Sequence, residues 1–144
     1  EDFSFLRQRK KFAMDLVSAT FSKFQTMDFV TTGEDDFNRA IQKIKEEYDI
    51  PLILLSLGKN GSRAYSRSGY AFAPAKSVKT IETTGAGDTF CGSVLSKVLE
   101  IGMKDFTDSE LEEMLQFANA AAAIVTTRKG ALKVMPEREE IYKL

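Results

Sequence analysis

The sequence contains no histidine and a single cysteine, Cys91, among its 144 residues. One cysteine cannot form an intrachain disulfide, and the lack of histidine excludes Cys/His zinc sites and every catalytic triad that uses imidazole as its base. Acid–base chemistry in this chain is therefore expected to use carboxylates.

An excess of positive charge and a long hydrophobic run are also missing. The formal net charge is −1 with cations and anions interspersed, so no basic face is expected and nucleic acid is not an expected partner. The apolar stretches LILLSL and AAAAIV are too short to span a bilayer, and the N-terminus lacks a charged segment followed by an apolar one. We therefore predict a cytoplasmic protein with no membrane partner.

The composition that is present, 43% hydrophobic and 28% charged, is typical of one globular domain over residues 1–144. The run LILLSL predicts a strand buried on both faces of a parallel sheet. Before it, four apolar residues at helical spacing predict an amphipathic helix: Phe37, Ile41, Ile44 and Tyr48. After it, turn dipeptides between short aromatic-rich strands predict an antiparallel hairpin or meander: Asn60-Gly61 and Ser68-Gly69.

Two further helices are predicted in the second half of the chain, with a short one near the C-terminus. Gly102 would close the first in a left-handed cap, and Thr107 and Glu110 have the capping-box spacing that begins the second. The first helix follows from the spacing of Phe90, Val94, Val98 and Ile101. Cys91, Met114 and the phenylalanines are expected in the core.

The first thirty residues also show helical spacing, and they carry a cluster of cations: Arg7, Arg9, Lys10 and Lys11. The favoured interpretation of this cluster is a solvated helix face, with a contact to an anionic ligand or partner as the alternative.

The stretch TTGAGDTFCGSVL lies where a strand is expected to end and a helix to begin. Glycines at positions 85 and 87 let the backbone turn sharply, so that free amides at the helix N-terminus would form an anion site. A carboxylate beside such a site, Asp88, is suited to accept the proton of an attacking hydroxyl during phosphoryl transfer. The alternative is a simple strand-to-helix turn with Asp88 stabilised by the helix dipole.

This stretch resembles the C-terminal signature of the ribokinase-like (PfkB) carbohydrate kinases, in the version most similar to fructokinases. Three other stretches resemble the same family in the same order: LLSLGKNGSRAY, FANAAAAIVTTRKGA and PEREEI. The resemblance covers about residues 33–144, and residues 1–32 match poorly. It implies a three-layer αβα sheet of the ribokinase-like α/β class, of which this chain would be the C-terminal, nucleotide-binding half.

The resemblance also implies roles for individual residues. Asp88 would be the general base, and the amides of Gly85, Ala86 and Gly87 would form the anion hole. The implied ATP site consists of Ser56, Leu57, Gly58, Lys59, Asn60, Gly61 and Asn119, with Asn119 beside the adenine. Taken singly, these residues are better explained by structure alone: Ser56 and Gly58 would end a strand, Asn60-Gly61 would be a hairpin turn, and Asn119 would be a satisfied polar residue of a helix. Together, in the order of the family, they favour the ATP site.

Magnesium and a monovalent cation, potassium, are the implied metal ions. Oxygens around six positions would hold the monovalent cation: Glu82, Thr84, Val125, Arg128, Gly130 and Val134. Two positions depart from the family pattern. Glu82 stands where the family usually has aspartate, and Met27 stands where a glutamate that helps to organise magnesium is expected.

The function that the resemblance implies is ATP-dependent phosphorylation of a sugar hydroxyl. Fructose is the first candidate substrate, followed by ribose, 2-keto-3-deoxygluconate and nucleosides. The alternative is a catalytically silent nucleotide-binding or assembly module, because family members are longer and their N-terminal half supplies most sugar contacts. A sheet that lacks the strands of the N-terminal half would expose strand edges and apolar faces, so we also expect a homo-oligomer.

Overall fold

The computed structural model describes residues 16–20, 38–39, 41–42, 45, 49–130 and 132–144. Within these ranges, four strands form one sheet in the order β1-β2-β3-β4. β1 pairs in parallel with β2, whereas β2 with β3 and β3 with β4 pair antiparallel. The strands are β1 (Leu16–Thr20), β2 (Leu52–Ser56), β3 (Ser62–Tyr65) and β4 (Tyr70–Ala73).

The strand predicted from LILLSL is confirmed as β2, whose first four residues are all buried. The sheet around β2 is mixed and not purely parallel as predicted, because β2 pairs in parallel with β1 and antiparallel with β3. The predicted antiparallel hairpin is also confirmed, since β3 and β4 pair with Ser62 opposite Ala73 and Tyr65 opposite Tyr70.

Three helices follow the sheet along the described chain: α1 (Ala86–Ile101), α2 (Asp108–Thr126) and α3 (Arg138–Ile141). The predicted capping box at the start of α2 is confirmed. The Thr107 hydroxyl accepts from the Glu110 amide, and the Glu110 carboxylate accepts from the Thr107 amide at 3.0 Å. The capping box thus gives acceptors to the backbone amides of Thr107 and Glu110, which would otherwise lack partners. The helix therefore begins at this position.

One face of the sheet packs against α1 and α2 to form the main core. Leu52, Leu54 and Ala64 on the sheet meet Phe90 and Val94 of α1 in one buried cluster. Met114, expected in the core, is 1% exposed within the same cluster, and Cys91 packs partly buried against it. Small alanines in α2 allow this close approach, as the AAAAIV stretch predicts.

The second face of the sheet lies against the helical residues near position 41. Tyr65 points to the side opposite Ala64, and its hydroxyl donates to Asn38 Oδ1 at 3.0 Å. Ile41 is 1% exposed. Among the described residues of the predicted helix over 37–48, Asn38, Arg39, Ile41, Gln42 and Lys45 are helical. The described chain therefore has helical residues on both faces of the sheet, in agreement with the expected αβα layers.

Several predictions about local structure were wrong in detail. Residues 16–20 form a strand, although the helical spacing of the first thirty residues favoured a helix. Pairing with β2 decides this, because strand formation depends on a partner that short-range periodicity does not report. Ile101 is 43% exposed, and Phe72 is 44% exposed because strand alternation turns it away from the core.

Gly102 does end α1 with a positive φ of 85°, but its ψ of 151° lies outside the left-handed helical region predicted for the cap. The predicted short C-terminal helix is confirmed as α3. The cationic cluster at residues 7–11 and Met27 lie outside the described residues. Across the ranges described above, no helix combines the length and apolar character needed to cross a membrane.

Candidate active site

A cleft of about 520 Å³ lies where β2 ends and α1 begins. Ser56 is the last residue of β2, and Ala86 and Gly87 form the first turn of α1. The cleft therefore lies at the carboxyl end of a strand and the N-terminus of a helix, where ligands of open α/β sheets commonly bind. The lining consists of Ser56, Gly58, Lys59, Gly61, Ala75, Lys76, Ser77, Val78, Thr80, Thr83, Ala86, Gly87, Phe90, Asn119, Ala122, Ala123 and Thr126.

The turn between β2 and β3 forms one wall of this cleft. Gly58–Asn60 is a single 3₁₀ turn, closed by the Gly61 amide donating to the Gly58 carbonyl at 3.1 Å. Gly61 has a φ of 97°, and a Cβ placed there would lie 2.2 Å from the Ala73 carbonyl oxygen. Only glycine permits this approach of the turn to the end of β4.

Asn119 lies in the buried middle of α2 and joins three parts of the fold. Its Oδ1 accepts a hydrogen bond from the Ser62 hydroxyl at 2.9 Å. Its Nδ2 donates to the carbonyl oxygens of Ala73, at 3.0 Å, and Pro74, at 3.1 Å. Asn119 lines the cleft, as expected for a residue beside the adenine. Its side-chain amide also has hydrogen-bond partners within the protein, as the alternative interpretation of a satisfied helix residue expected.

The N-terminus of α1 presents free amides, although not the set that the sequence predicted. Gly85, with a φ of 82°, turns the chain into the helix. The Ala86 amide donates to the Thr83 carbonyl at 3.2 Å and is therefore used by the turn. Among the described residues, the amides of Gly85, Gly87 and Asp88 donate to no acceptor. The Ala86 amide, which was predicted to take part in the anion hole, is thus engaged by the Thr83 carbonyl, whereas the Asp88 amide, which was not singled out from the sequence, is free within the described part of the chain.

Asp88 is exposed and lines a second cavity of about 370 Å³. Thr89, Ser93, Met135 and Arg138 are among the other residues of that cavity. Because Gly87 lines the first cleft and Asp88 the second, the first turn of α1 separates two adjacent cavities. A group bound at the free amides would therefore be accessible from both sides.

The residues predicted to hold a monovalent cation come together behind this turn. The Gly130 amide donates to Glu82 Oε2 at 3.3 Å, and Arg128 Nη1 donates to the Val134 carbonyl at 3.2 Å. A hydrogen bond from Thr84, the Gly130 amide and the charge of Lys129 together lower the pKa of Glu82, although desolvation acts in the opposite direction. Arg128 is further paired with Glu140 at 2.6 Å.

These residues fit a monovalent cation better than a divalent one. Carbonyl oxygens such as that of Val134 keep a second lone pair after accepting one hydrogen bond, and the lowered pKa of Glu82 favours its carboxylate form. No group of three or more aspartate, glutamate, cysteine or histidine residues suited to a metal ion occurs within the described ranges. The segment around Met27, predicted to affect magnesium, is outside them.

Sequence reasoning missed the segment over residues 75–80, five residues of which line the cleft: Ala75, Lys76, Ser77, Val78 and Thr80. This segment has no regular secondary structure, so no periodic pattern marks it. Ala122, Ala123 and Thr126 were also missed, since small residues in a helix predict packing rather than a ligand. Leu57, Asn60 and Gly85 were predicted site residues, but they do not line the cleft themselves.

The pfkB family of carbohydrate kinases matches residues 12–138, which extends the resemblance upstream of residue 33. The chain is 32% identical over 130 residues to fructokinase-1 of Oryza sativa subsp. japonica, and this match covers 90% of the chain. Among solved structures, it is similar to the fructokinase of Vibrio cholerae O395 in its fructose, ADP and calcium ion bound form (27% identity, 90% of the chain, TM-score 0.72). It is also similar to Arabidopsis thaliana ribokinase complexed with ribose and ATP (26% identity, 90% of the chain, TM-score 0.74).

These matches agree with the predicted α/β fold of the ribokinase-like kinases. The chain spans 39% of the length of the rice relative and 40% of each of the two solved chains.

Proposed function

The chain belongs to the pfkB family of carbohydrate kinases, and from this premise we propose that it carries the nucleotide-binding and catalytic part of a kinase that transfers the γ-phosphoryl group of ATP to a sugar hydroxyl. The observation that carries this proposal is the cleft of about 520 Å³. It joins the end of β2, the turn at Gly58–Asn60, the free amides of α1 and the buried face of α2. A cleft with an apolar wall and an anion-binding helix N-terminus suits a nucleoside triphosphate.

The amides of Gly85, Gly87 and Asp88 would stabilise the negative charge on the transferring phosphoryl group. Gly87 faces the cleft that would hold ATP, and Asp88 faces the adjacent cavity, which would admit the acceptor hydroxyl. In the proposed reaction, a bond forms between the sugar oxygen and the γ-phosphorus, and the bond from that phosphorus to the bridging oxygen of ADP breaks. The hydroxyl proton passes to the Asp88 carboxylate.

We propose two metal ions for this reaction, magnesium bound to the nucleotide and potassium bound to the protein. Magnesium bound to the nucleotide would neutralise charge on its β- and γ-phosphates. Potassium would be held by the Glu82 carboxylate and the carbonyls of Val125 and Val134. Thermal unfolding in potassium chloride and in tetramethylammonium chloride tests the potassium site. We expect the midpoint of the parent to be higher in potassium chloride and that of Glu82→Gln to be the same in both salts.

Fructose is the proposed acceptor, because the rice relative and the Vibrio structure are both named as fructokinases. Ribose is the second candidate, since the Arabidopsis ribokinase structure contains ribose. A panel of sugars decides between these candidates.

Calorimetric titration with Mg-ATP, followed by an ADP-release assay over that panel, tests the proposal. Asp88→Asn keeps the size of the side chain and removes its basicity. We expect this variant to bind ATP as the parent does and to lose sugar-dependent turnover. If the parent binds no ATP, or if Asp88→Asn retains full turnover, the proposal is wrong.

The homo-oligomer predicted from the sequence remains part of this proposal. Sedimentation at increasing protein concentration tests it, and a single monomeric species throughout would contradict it.

A further inference from the structure

We propose that Asn119 positions one wall of the nucleotide cleft and does not recognise the base, so that base selection falls to apolar contacts that adenine and guanine share. This inference rests on the proposed nucleotide binding. It concerns the residue that sequence reasoning placed beside the adenine, and it assigns that residue a different task.

The hydrogen-bonding capacity of Asn119 is already used inside the protein. The side chain amide has two N–H donors, and Ala73 and Pro74 supply one acceptor for each, at 3.0 and 3.1 Å. Oδ1 accepts from the Ser62 hydroxyl at 2.9 Å. The opposite amide orientation would place Oδ1 against two carbonyl oxygens, so the network determines which atom is nitrogen. A base edge could bind here only by displacing one of these buried hydrogen bonds.

The partners of Asn119 show what it positions. Ala73 is the last residue of β4, and Pro74 begins the irregular segment that continues as the cleft wall at residues 75–80. Ser62 begins β3, directly after Gly61 of the opposite wall. Asn119 is 8% exposed and therefore anchors, from α2, the points at which both walls leave the sheet.

The remainder of the described lining offers no second buried polar side chain. Lys59, Lys76, Ser77, Thr80 and Thr83 are exposed, and Ser56 and Thr126 are half-buried. Thr126 Oγ1 donates to the Ala123 carbonyl at 2.7 Å. The buried part of the lining is formed by apolar side chains, including Phe90 and Ala123.

Strong discrimination between similar ligands requires a buried polar group that the wrong ligand leaves unpaired. Because the buried polar group of this cleft is already paired, we expect the Kd for GTP to lie within about 100-fold of that for ATP. A site built to hydrogen-bond one base would give about 10⁴-fold or more.

The experiment titrates the full chain with Mg-ATP and with Mg-GTP, for the parent, Asn119→Ala and Ser66→Ala. Ser66 is the matched control, because its buried hydroxyl donates to the Phe106 carbonyl at 2.7 Å and accepts from the Gly69 amide at 2.8 Å, outside the residues that line the cleft. We expect Asn119→Ala to raise both Kd values by the same factor, about tenfold, and Ser66→Ala to change neither by more than about twofold.

A change of the ATP-to-GTP ratio in Asn119→Ala by more than about fivefold would overturn the inference, since it would show that Asn119 contributes to discrimination between the bases. The inference would also be overturned if the parent chain bound GTP more than about 10⁴-fold more weakly than ATP. Ser62→Ala serves as a milder variant in case Asn119→Ala does not fold. It removes a single partner of Oδ1, and we expect a smaller rise of both Kd values with the same ratio.

Hydrogen exchange in the nucleotide-free chain tests the positioning role without any ligand. We expect faster amide exchange over residues 75–80 in Asn119→Ala and unchanged exchange there in Ser66→Ala. Equal exchange in the two variants would overturn the inference. If the parent binds neither nucleotide, the proposed function fails, whereas the exchange measurement still decides the role of Asn119.

Discussion

The backbone amide of Gly130 donates a hydrogen bond to the Glu82 carboxylate, with the nitrogen 3.3 Å from Oε2. Glu82 precedes α1 and Gly130 follows α2, so this contact connects the loops next to both helices of the candidate site. The neighbouring Ile81 and Glu82 amides donate to the Thr126 carbonyl, at 2.7 and 3.1 Å, and reinforce the connection. The carboxylate therefore connects the glycine turn that precedes α1 to the end of α2.

The first prediction concerns the pH dependence of this connection. The hydrogen bond from Thr84, the Gly130 amide and the charge of Lys129 hold the folded-state pKa of Glu82 below its ordinary value of 4.5. The unfolded chain therefore binds a proton more readily, and the contribution of Glu82 to stability is present above pH 4.5 and is lost as the pH falls through the lowered pKa.

Urea unfolding of the parent and of Glu82→Gln between about pH 7 and about pH 3, the range in which carboxylates titrate, measures this contribution. We expect the parent to be more stable near neutral pH and the difference to shrink in acid. A difference that stays constant over the whole range would contradict the prediction.

The second prediction separates the two glycines on α1. A Cβ at Gly87 or at Gly92 would meet no atom within 4 Å, so alanine fits the fold at both positions. Gly87 lines the cleft beside the free amides, whereas Gly92 lines the neighbouring cavity. We expect Gly87→Ala to fold and to bind ATP about tenfold more weakly or worse, a loss of roughly 1.4 kcal/mol.

Gly92→Ala is the control for this substitution. It should raise the free energy of unfolding by about 0.5–1 kcal/mol, because alanine is the better helix former, and leave the Kd for ATP unchanged. Calorimetry measures the Kd and urea unfolding measures the stability. Normal ATP binding by Gly87→Ala would show that the phosphates do not approach this turn.

The third prediction concerns Gly61, where a Cβ would lie 2.2 Å from the Ala73 carbonyl oxygen at a φ of 97°. We expect Gly61→Ala to lower the free energy of unfolding by about 2–3 kcal/mol, through the clash and the unfavourable φ together. Gly58→Ala is the control, since φ there is 57° and no atom lies within 4 Å of the added Cβ. It should cost only about 1 kcal/mol. Equal losses in urea unfolding would show that φ alone, and not the contact with β4, requires glycine.

The fourth prediction concerns a buried cation beneath the C-terminal segment. Lys97 is 6% exposed, its ammonium donates to the Tyr142 hydroxyl at 2.8 Å, and it lies 4.8 Å from the centre of the Phe117 ring. Hydrogen bonds from Lys97 and then from Arg138 lower the pKa of Tyr142 from its ordinary value of 10.0.

Alkaline titration of tyrosine absorbance, taken as the difference between the parent and Tyr142→Phe, isolates this phenol. We expect its midpoint below 10.0 in the parent and closer to 10.0 when Lys97→Met removes the principal donor. Lys104→Met, which removes an exposed lysine paired with Glu110 at 2.5 Å, should leave the midpoint unchanged. The same midpoint in all three backgrounds would contradict the assigned contacts.

Much of the regular structure could be predicted from short stretches of sequence. The capping box of Thr107 and Glu110 and the buried run of β2 were predicted correctly, because each depends on neighbours a few residues away. The strand over residues 16–20 was not, because β1 exists through its pairing with a strand that lies more than thirty residues along the chain. Periodicity within the segment itself carries no information about that partner.

The sequence by itself determined the family, the order of the elements from β2 onward and the glycine turn that precedes Asp88, since these depend on residue types at short spacings. Only the tertiary structure decided which groups of the candidate site are free. It brought the carbonyl of Ala73 to Asn119 from 46 residues away. It also folded residues 75–80 into a wall that no local pattern marks. A hydrogen bond between distant segments forms only when the whole chain is packed, so its partners cannot be identified from either segment alone.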